Sequence, residues 1–184
     1  MAKTKAANSK PLAIETLMAD HRKVEALFEK YEKAKEAEDD SRREIAEIVC
    51  AELTVHATIE EEIFYPWLRE YLEEDEMEMV EEAQVEHNGA RDLIAQIQGA
   101  SEVDAVYDAK VKVLSEYIKH HVKEEEHEIF PKIEAEKEDL DELGEQMEAR
   151  RAELKETEMP ADAKSPPPRK PSNSGTGARK GAAR

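Results

Sequence analysis

Four histidines and two glutamates stand out in this sequence for the chemistry their spacing allows. His56 and Glu60 are four residues apart, and so are His121 and Glu125. On a helix, residues four apart lie one above the other on the same face. The surrounding segments repeat: HATIEEEIFYP starts at His56 and HVKEEEHEIFP at His121, and each reaches its proline ten residues after the histidine. A second matched pair is Asp20-His21 and Glu86-His87. His21 precedes His56 by 35 residues, and His87 precedes His121 by 34. The chain therefore reads as two copies of one helical hairpin, each with a histidine on its first helix and His-x3-Glu on its second.

Both His-Glu pairs fall on apolar stripes, as do His21 and His87, so four imidazoles and two carboxylates converge on one core. Ionised carboxylates are costly to bury without partners, and neutral imidazoles bring no compensating charge. Bound metal is the simplest way to satisfy the set. By the symmetry of the repeat, each of two metals takes two histidines from one hairpin, and Glu60 and Glu125 bridge them. Positions remain for water, a bridging oxygen or dioxygen. Nitrogen and oxygen donors without thiolate suit iron or manganese, and also zinc.

The elements that must position these side chains are helices throughout. The first, about 11–37, carries Ile14, Leu17, Met18, His21, Val24, Phe28 and Tyr31 at 3–4 spacing. Ser41 with Glu44 has the pattern of a capping box for a second helix over about 42–74, with Ile45, Val49, Glu52, His56, Ile59, Glu60 and Ile63 on one side. A third spans about 76–98 and stops at Gly99. Ser101 with Asp104 opens a fourth over about 102–135, whose stripe runs Val106, Val113, Leu114, Tyr117, His121, Glu125 and Ile129. A shorter polar helix fits about 138–156. The expected fold is all-α: an up-down-up-down four-helix bundle with a short extra helix.

Composition bounds the rest. The net charge is −18. The last 25 residues carry +5, so the first 159 carry −23. An acidic body of that kind repels nucleic acid and anionic membrane surfaces and attracts cations. No apolar run approaches the length of a membrane span. The start, MAKTKAANSKP, lacks the apolar stretch of a signal peptide, so a cytoplasmic location is expected. A single cysteine, Cys50, excludes a disulfide framework or a CxxC site. The expected layout is a flexible N-terminus over 1–11, a bundle over 12–157 and a disordered Pro/Gly-rich basic tail over 158–184. That tail is either a solubilising extension or a contact for an acidic partner.

The sequence resembles the hemerythrin family in its broad HHE cation-binding form. The likeness rests on His21 in ADHRKVEALF, His87 in VEHNGARDLI and the two His-x3-Glu segments, and it covers about residues 12–135. It implies a four-helix bundle around two non-haem iron ions, oxo- or hydroxo-bridged. His21, His56, His87 and His121 would be terminal ligands, and Glu60 and Glu125 would bridge. Oxygen-carrying hemerythrins have a fifth histidine four residues after the one at His87, where this chain has Arg91. That departure argues against simple oxygen transport. It favours a protein that binds dioxygen or senses iron, oxygen or oxidative stress. The alternative is a di-iron enzyme acting on peroxide or nitric oxide. Ferritin-like iron handling fits less well, because Glu124-x-x-His127 has no counterpart in the first copy.

Two further positions should face the cavity. Glu52 and Tyr117 lie one turn before His56 and His121, and either could be an extra ligand or a hydrogen-bonding support for the ligands, with a plain core tyrosine the other reading of Tyr117. Glu61 and Glu126 repeat as acidic neighbours of the bridging pair. His120 and His127 read as rim or surface residues, and Phe64, Trp67 and Phe130 as core at the bundle's end.

Overall fold

The computed structural model describes residues 10–36 and 39–158. Apart from residues 10, 11 and 158, the expected flexible N-terminus and basic tail lie outside the described residues. Among those described there is no strand. Helix α1 (Leu12–Lys33) ends in a 3₁₀ turn over Ala34–Glu36, and α2 spans Asp39–Ile59. After α2 come a π-helical turn, Glu60–Phe64, and then α3 (Tyr65–Tyr71). Helix α4 (Met77–Gln98) stops at Gly99, and α5 covers Ala105–Glu124. A second π turn, Glu125–Ile129, leads to α6 (Phe130–Ile133), and α7 (Lys137–Glu158) follows. The four-helix bundle consists of α1, α2 with α3, α4, and α5 with α6. Helix α7 is a fifth member lying against α1 and α2.

The second and fourth helices depart from the simple periodic pattern at matching places. Each π turn begins on one of the paired glutamates and ends just before Pro66 or Pro131 in sequence. Proline has no N–H, and its ring clashes with the carbonyl four residues back. The chain widens instead. The Tyr65 N–H bonds to the Glu60 carbonyl and the Phe130 N–H to that of Glu125, each five residues back. The extra residue in the turn lets consecutive glutamates both reach imidazoles.

Local starts differ too. Ser41 lies inside α2, so it is not a cap. Asp104, not Ser101, caps α5, accepting from Val106 N–H at 3.0 Å and Tyr107 N–H at 2.8 Å. Val106 and Val113 are exposed, and α5 instead buries Tyr107, Val111 and Leu114. Helix α7 is as long as α1, not short.

The core has two apolar ends with a polar belt between them. One end joins Ile14, Leu17, Ile59, Phe64, Leu68, Ile129, Phe130 and Ile133 to Leu140, Leu143 and Met147 of α7. The other holds Val24, Phe28, Tyr31, Val49, Cys50, Ile94, Tyr107 and Leu114. Burying one such side chain is worth about 1.5–3 kcal/mol, so α7 is seated by three. Gly144 allows the close approach: a Cβ there would fall 2.6 Å from the Ala13 nitrogen. Burial pushes the free Cys50 thiol up to about 12, which fits an inert packing residue.

Candidate metal centre

The polar belt is the meeting place of the six ligand candidates. His21, His56, His87, His121, Glu60 and Glu125 are all at most 5% exposed. Ligand atoms of His21, His56, Glu60 and Glu125 lie within 4.8 Å of one another, as do those of Glu60, His87 and His121. Glu60 belongs to both groups. His56 Nε2 and His87 Nε2 lie 3.2 and 3.3 Å from Glu60 Oε2. His21 Nε2 is 3.1 Å from Glu125 Oε2, and His121 Nε2 is 3.7 Å from it.

Each imidazole is held from behind by a carboxylate. His21 Nδ1 is 2.8 Å from Glu126, His56 Nδ1 3.3 Å from Asp20, His87 Nδ1 2.8 Å from Glu61 and His121 Nδ1 2.8 Å from Glu86. An ionised carboxylate only accepts, so each Nδ1 carries the proton. Nε2 is left for the centre. This is the support that fixes tautomer and orientation in metal-bound histidines. Two of the four supports cross between hairpins: Glu126 serves His21, and Glu61 serves His87. Asp20 and Glu86 were visible in the sequence as a repeated acidic residue before each first-helix histidine, yet spacing alone assigned them no task.

The inner atoms form a set that a cation would satisfy. His87 Nε2 and His121 Nε2 are 3.2 Å apart. With protons on both Nδ1 atoms, two lone pairs would face each other. His21 Nε2, both Glu60 oxygens and Glu125 Oε2 are buried, and the close imidazole–carboxylate approaches among them are not aligned as hydrogen bonds. Such orphaned groups are expensive in a low-dielectric interior. Two divalent ions, one held by His21, His56, Glu60 and Glu125 and the other by Glu60, His87 and His121, would satisfy these atoms. In the ion-free chain protons substitute in part. Burial opposes charge on His56, but Glu60 and Asp20 outweigh it and hold the imidazole well above its usual pKa. His121 is likewise pushed up to about 9 by Glu125 and Glu86 against its burial. Glu60 is buried too, but His56 and His87 hold it well below the carboxylate range.

The remaining candidates separate. Glu52 is buried but turned to ammonium groups: it pairs with Lys23, and Lys155 Nζ lies 3.6 Å away. Tyr117 is half-buried in the second apolar cluster, its hydroxyl 2.8 Å from where a Cβ on Gly89 would sit. It supports packing rather than the belt. His120 and His127 are exposed, and His127 donates to the Lys123 carbonyl. Arg91 pairs with Glu61, the carboxylate behind His87.

Sequence reasoning missed Tyr65. Its hydroxyl is 3.3 Å from His87 Nε2 and donates to Glu125 Oε1 at 3.4 Å, and its ring stacks on His87. The repeat places Phe130 at the matching position, where it stacks on His21. Burial and the nearby glutamates raise the Tyr65 pKa far above normal. The signal was the Tyr/Phe difference between FYP and IFP.

The model of the hemerythrin HHE cation binding domain matches residues 12–133. The chain belongs to this hemerythrin family. It is a hemerythrin-like protein whose histidines and glutamates cluster as a candidate di-metal site. The crystal structure of a hemerythrin HHE cation binding domain-containing protein from Mycobacterium kansasii superposes with a TM-score of 0.66. That similarity covers 81% of this chain and 89% of the other at 22% identity, which shows a shared fold. A protein of Nostoc sp. described as a DNA nickase is 27% identical over 119 residues, 65% of this chain. This chain spans about a third of that relative's length (32%). Among the described residues no helix is long and apolar enough to cross a membrane.

Proposed function

We infer that this hemerythrin-like chain holds two iron ions as a non-haem centre that binds dioxygen or reports on iron, oxygen or oxidative stress. The supporting observation is the set of four Nε2 atoms converging on Glu60 and Glu125, every imidazole anchored behind by a carboxylate. His21 and His56 would hold one ion, His87 and His121 the other, with both glutamates between. All-nitrogen-and-oxygen ligation favours iron and also accepts manganese or zinc. The ions would supply redox chemistry toward a small ligand. The protein's part is to hold the imidazoles and keep water out.

A small cavity beside the centre supports a neutral diatomic as that ligand. It measures about 30 Å³, room for one water-sized molecule. The imidazoles of His21, His56, His87 and His121 border it, and Val24, Leu53, Ala90, Ile94, Ile118 and Val122 make it apolar. The Tyr65 hydroxyl supports a second reading, turnover of peroxide or nitric oxide, because it is a buried proton donor beside the second pair of histidines. The charge of the body opposes contact with nucleic acid, so the nicking activity named for the Nostoc relative is not part of this reading. A cytoplasmic setting is part of this reading.

Metal analysis of the purified chain, with absorbance spectra recorded with and without dioxygen, tests this. Two irons per chain and an oxygen-dependent charge-transfer band, lost in His56→Ala and in His121→Ala, are expected. Two zinc ions with no response to dioxygen would refute it.

A further inference from the structure

The four carboxylates behind the imidazoles are not equally neutralised. Glu61 and Glu126 are paired with Arg91 and Arg22, whose side chains are 44% and 54% exposed, so solvent screens them. Asp20 is different. The Oδ2 atom that His56 Nδ1 faces also accepts from Arg151 of α7, and the Asp20 and Arg151 side chains are each 11% exposed. The matching carboxylate of the second hairpin, Glu86, has no arginine or lysine partner among the described residues. Its second oxygen lies 3.7 Å from His120, which is 57% exposed and shared with Glu124 at 3.0 Å.

An outer carboxylate raises the basicity of the imidazole it holds and adds negative charge near the ion. A buried guanidinium on that carboxylate takes both effects back. Arg151 stands on a helix that begins after the family match ends at residue 133. Its seat is fixed independently by Leu140, Leu143 and Met147 in the core and by Asp141, which accepts from the Leu12 N–H at 2.7 Å. Helix α7 therefore sets a guanidinium, shared with the 47% exposed Glu148 at 3.1 Å, against the half of the centre that holds His21 and His56.

We propose that Arg151 is a positioning residue through which α7 makes the two metal positions unequal, weakening cation binding at His21 and His56 relative to His87 and His121. The centre then fills in order, the second hairpin first. This rests on the di-metal reading above and gives it a direction. An ion in the His21–His56 position is the one that exchanges, and undocking α7 would retain it more firmly.

Anaerobic titration of the metal-free full chain with cobalt(II), followed by calorimetry and visible absorbance, tests the proposal. Two steps are expected in the unsubstituted chain. His121→Ala removes the tighter step and His56→Ala the weaker. Arg151→Gln tightens the weaker step about tenfold and narrows the gap, a size set by one unit of charge interaction. Arg151→Lys keeps the gap. Arg150→Gln, which loses the same charge from contacts with Glu62 and Glu153, leaves both steps in place. A merely structural Arg151 would lower the melting temperature without moving the gap. The proposal falls if the gap is unchanged in folded Arg151→Gln protein, or if His56→Ala removes the tighter step. A chain that binds no cobalt overturns the metal reading itself, whereas two ions with an unaltered gap overturn the ordering alone.

Discussion

The two hairpins present the same inner atoms and different surroundings. Each offers two imidazoles and one inward glutamate at the start of a π turn. Hairpin one lies under α7, which covers Thr16, Asp20 and Glu52 with Glu148, Arg151 and Lys155. Over hairpin two the matching positions are Glu82, Glu86 and Tyr117. Near the centre, Tyr65 offers a hydroxyl on one side where Phe130 offers only a ring on the other. Duplication preserves the inner imidazoles and glutamates, which under the proposed metal centre could vary little. Layers farther out are free to diverge and so to make equal sites behave unequally.

Removing metal is expected to have the largest effect on both hairpins at once. With free ion at 1,000 times its dissociation constant, binding adds about 4 kcal/mol to folding, so a stripped sample should melt far lower in calorimetry. The loss depends on pH. In the ion-free chain His121 has its pKa raised to about 9 from 6.5. A raised pKa contributes stability that is complete below about 6.5 and is lost as pH rises through about 9. A bound ion instead needs Nε2 free of its proton. The gap in melting temperature between loaded and stripped protein should therefore widen between pH 6.5 and 9. A constant gap would mean that no imidazole proton is displaced.

Uncovering hairpin one comes next. Gly144→Ala puts a methyl 2.6 Å from the Ala13 nitrogen and 2.7 Å from the Leu12 carbonyl carbon, backbone that cannot turn aside. Overpacking of this kind costs about 1–3 kcal/mol. Hydrogen exchange should rise along α7 and α1 while α4 and α5 stay protected. Equal loss of protection in all helices would show that α7 is not a separate cover.

The crossed supports give a sharper version of the comparison. Glu126→Gln should weaken the ion at His21 and His56, and Glu61→Gln the ion at His87 and His121, each about tenfold or somewhat more. The damaged position is thus in the hairpin that does not carry the substitution. Weakening confined to the mutated hairpin would contradict the Nδ1 contacts. Smallest is Tyr65→Phe, which makes the two halves alike at that position. Loss of its hydrogen bond to Glu125 should cost about 1 kcal/mol in the stripped protein and change the visible spectrum of the iron-loaded form. An unaltered spectrum would remove Tyr65 from the centre's surroundings.

Sequence by itself determined the helical class, the duplication and the convergence of six side chains, because helical period and spacing fix which residues share a face. His21, His56, Glu60, His87, His121 and Glu125 meet where the pattern put them. Glu52 and Tyr117 share their stripe but not their surroundings. One turn along, Glu52 meets lysines from α1 and α7, and Tyr117 fills the space left by Gly89. Only the tertiary structure decided the rest: which carboxylate stands behind which imidazole, that two of those contacts cross between hairpins, and that α7 places Arg151 on Asp20 while Glu86 has no arginine or lysine partner among the described residues. Periodicity specifies a face, but a partner on another helix depends on rotation, on the π turns and on how closely a glycine lets two backbones approach.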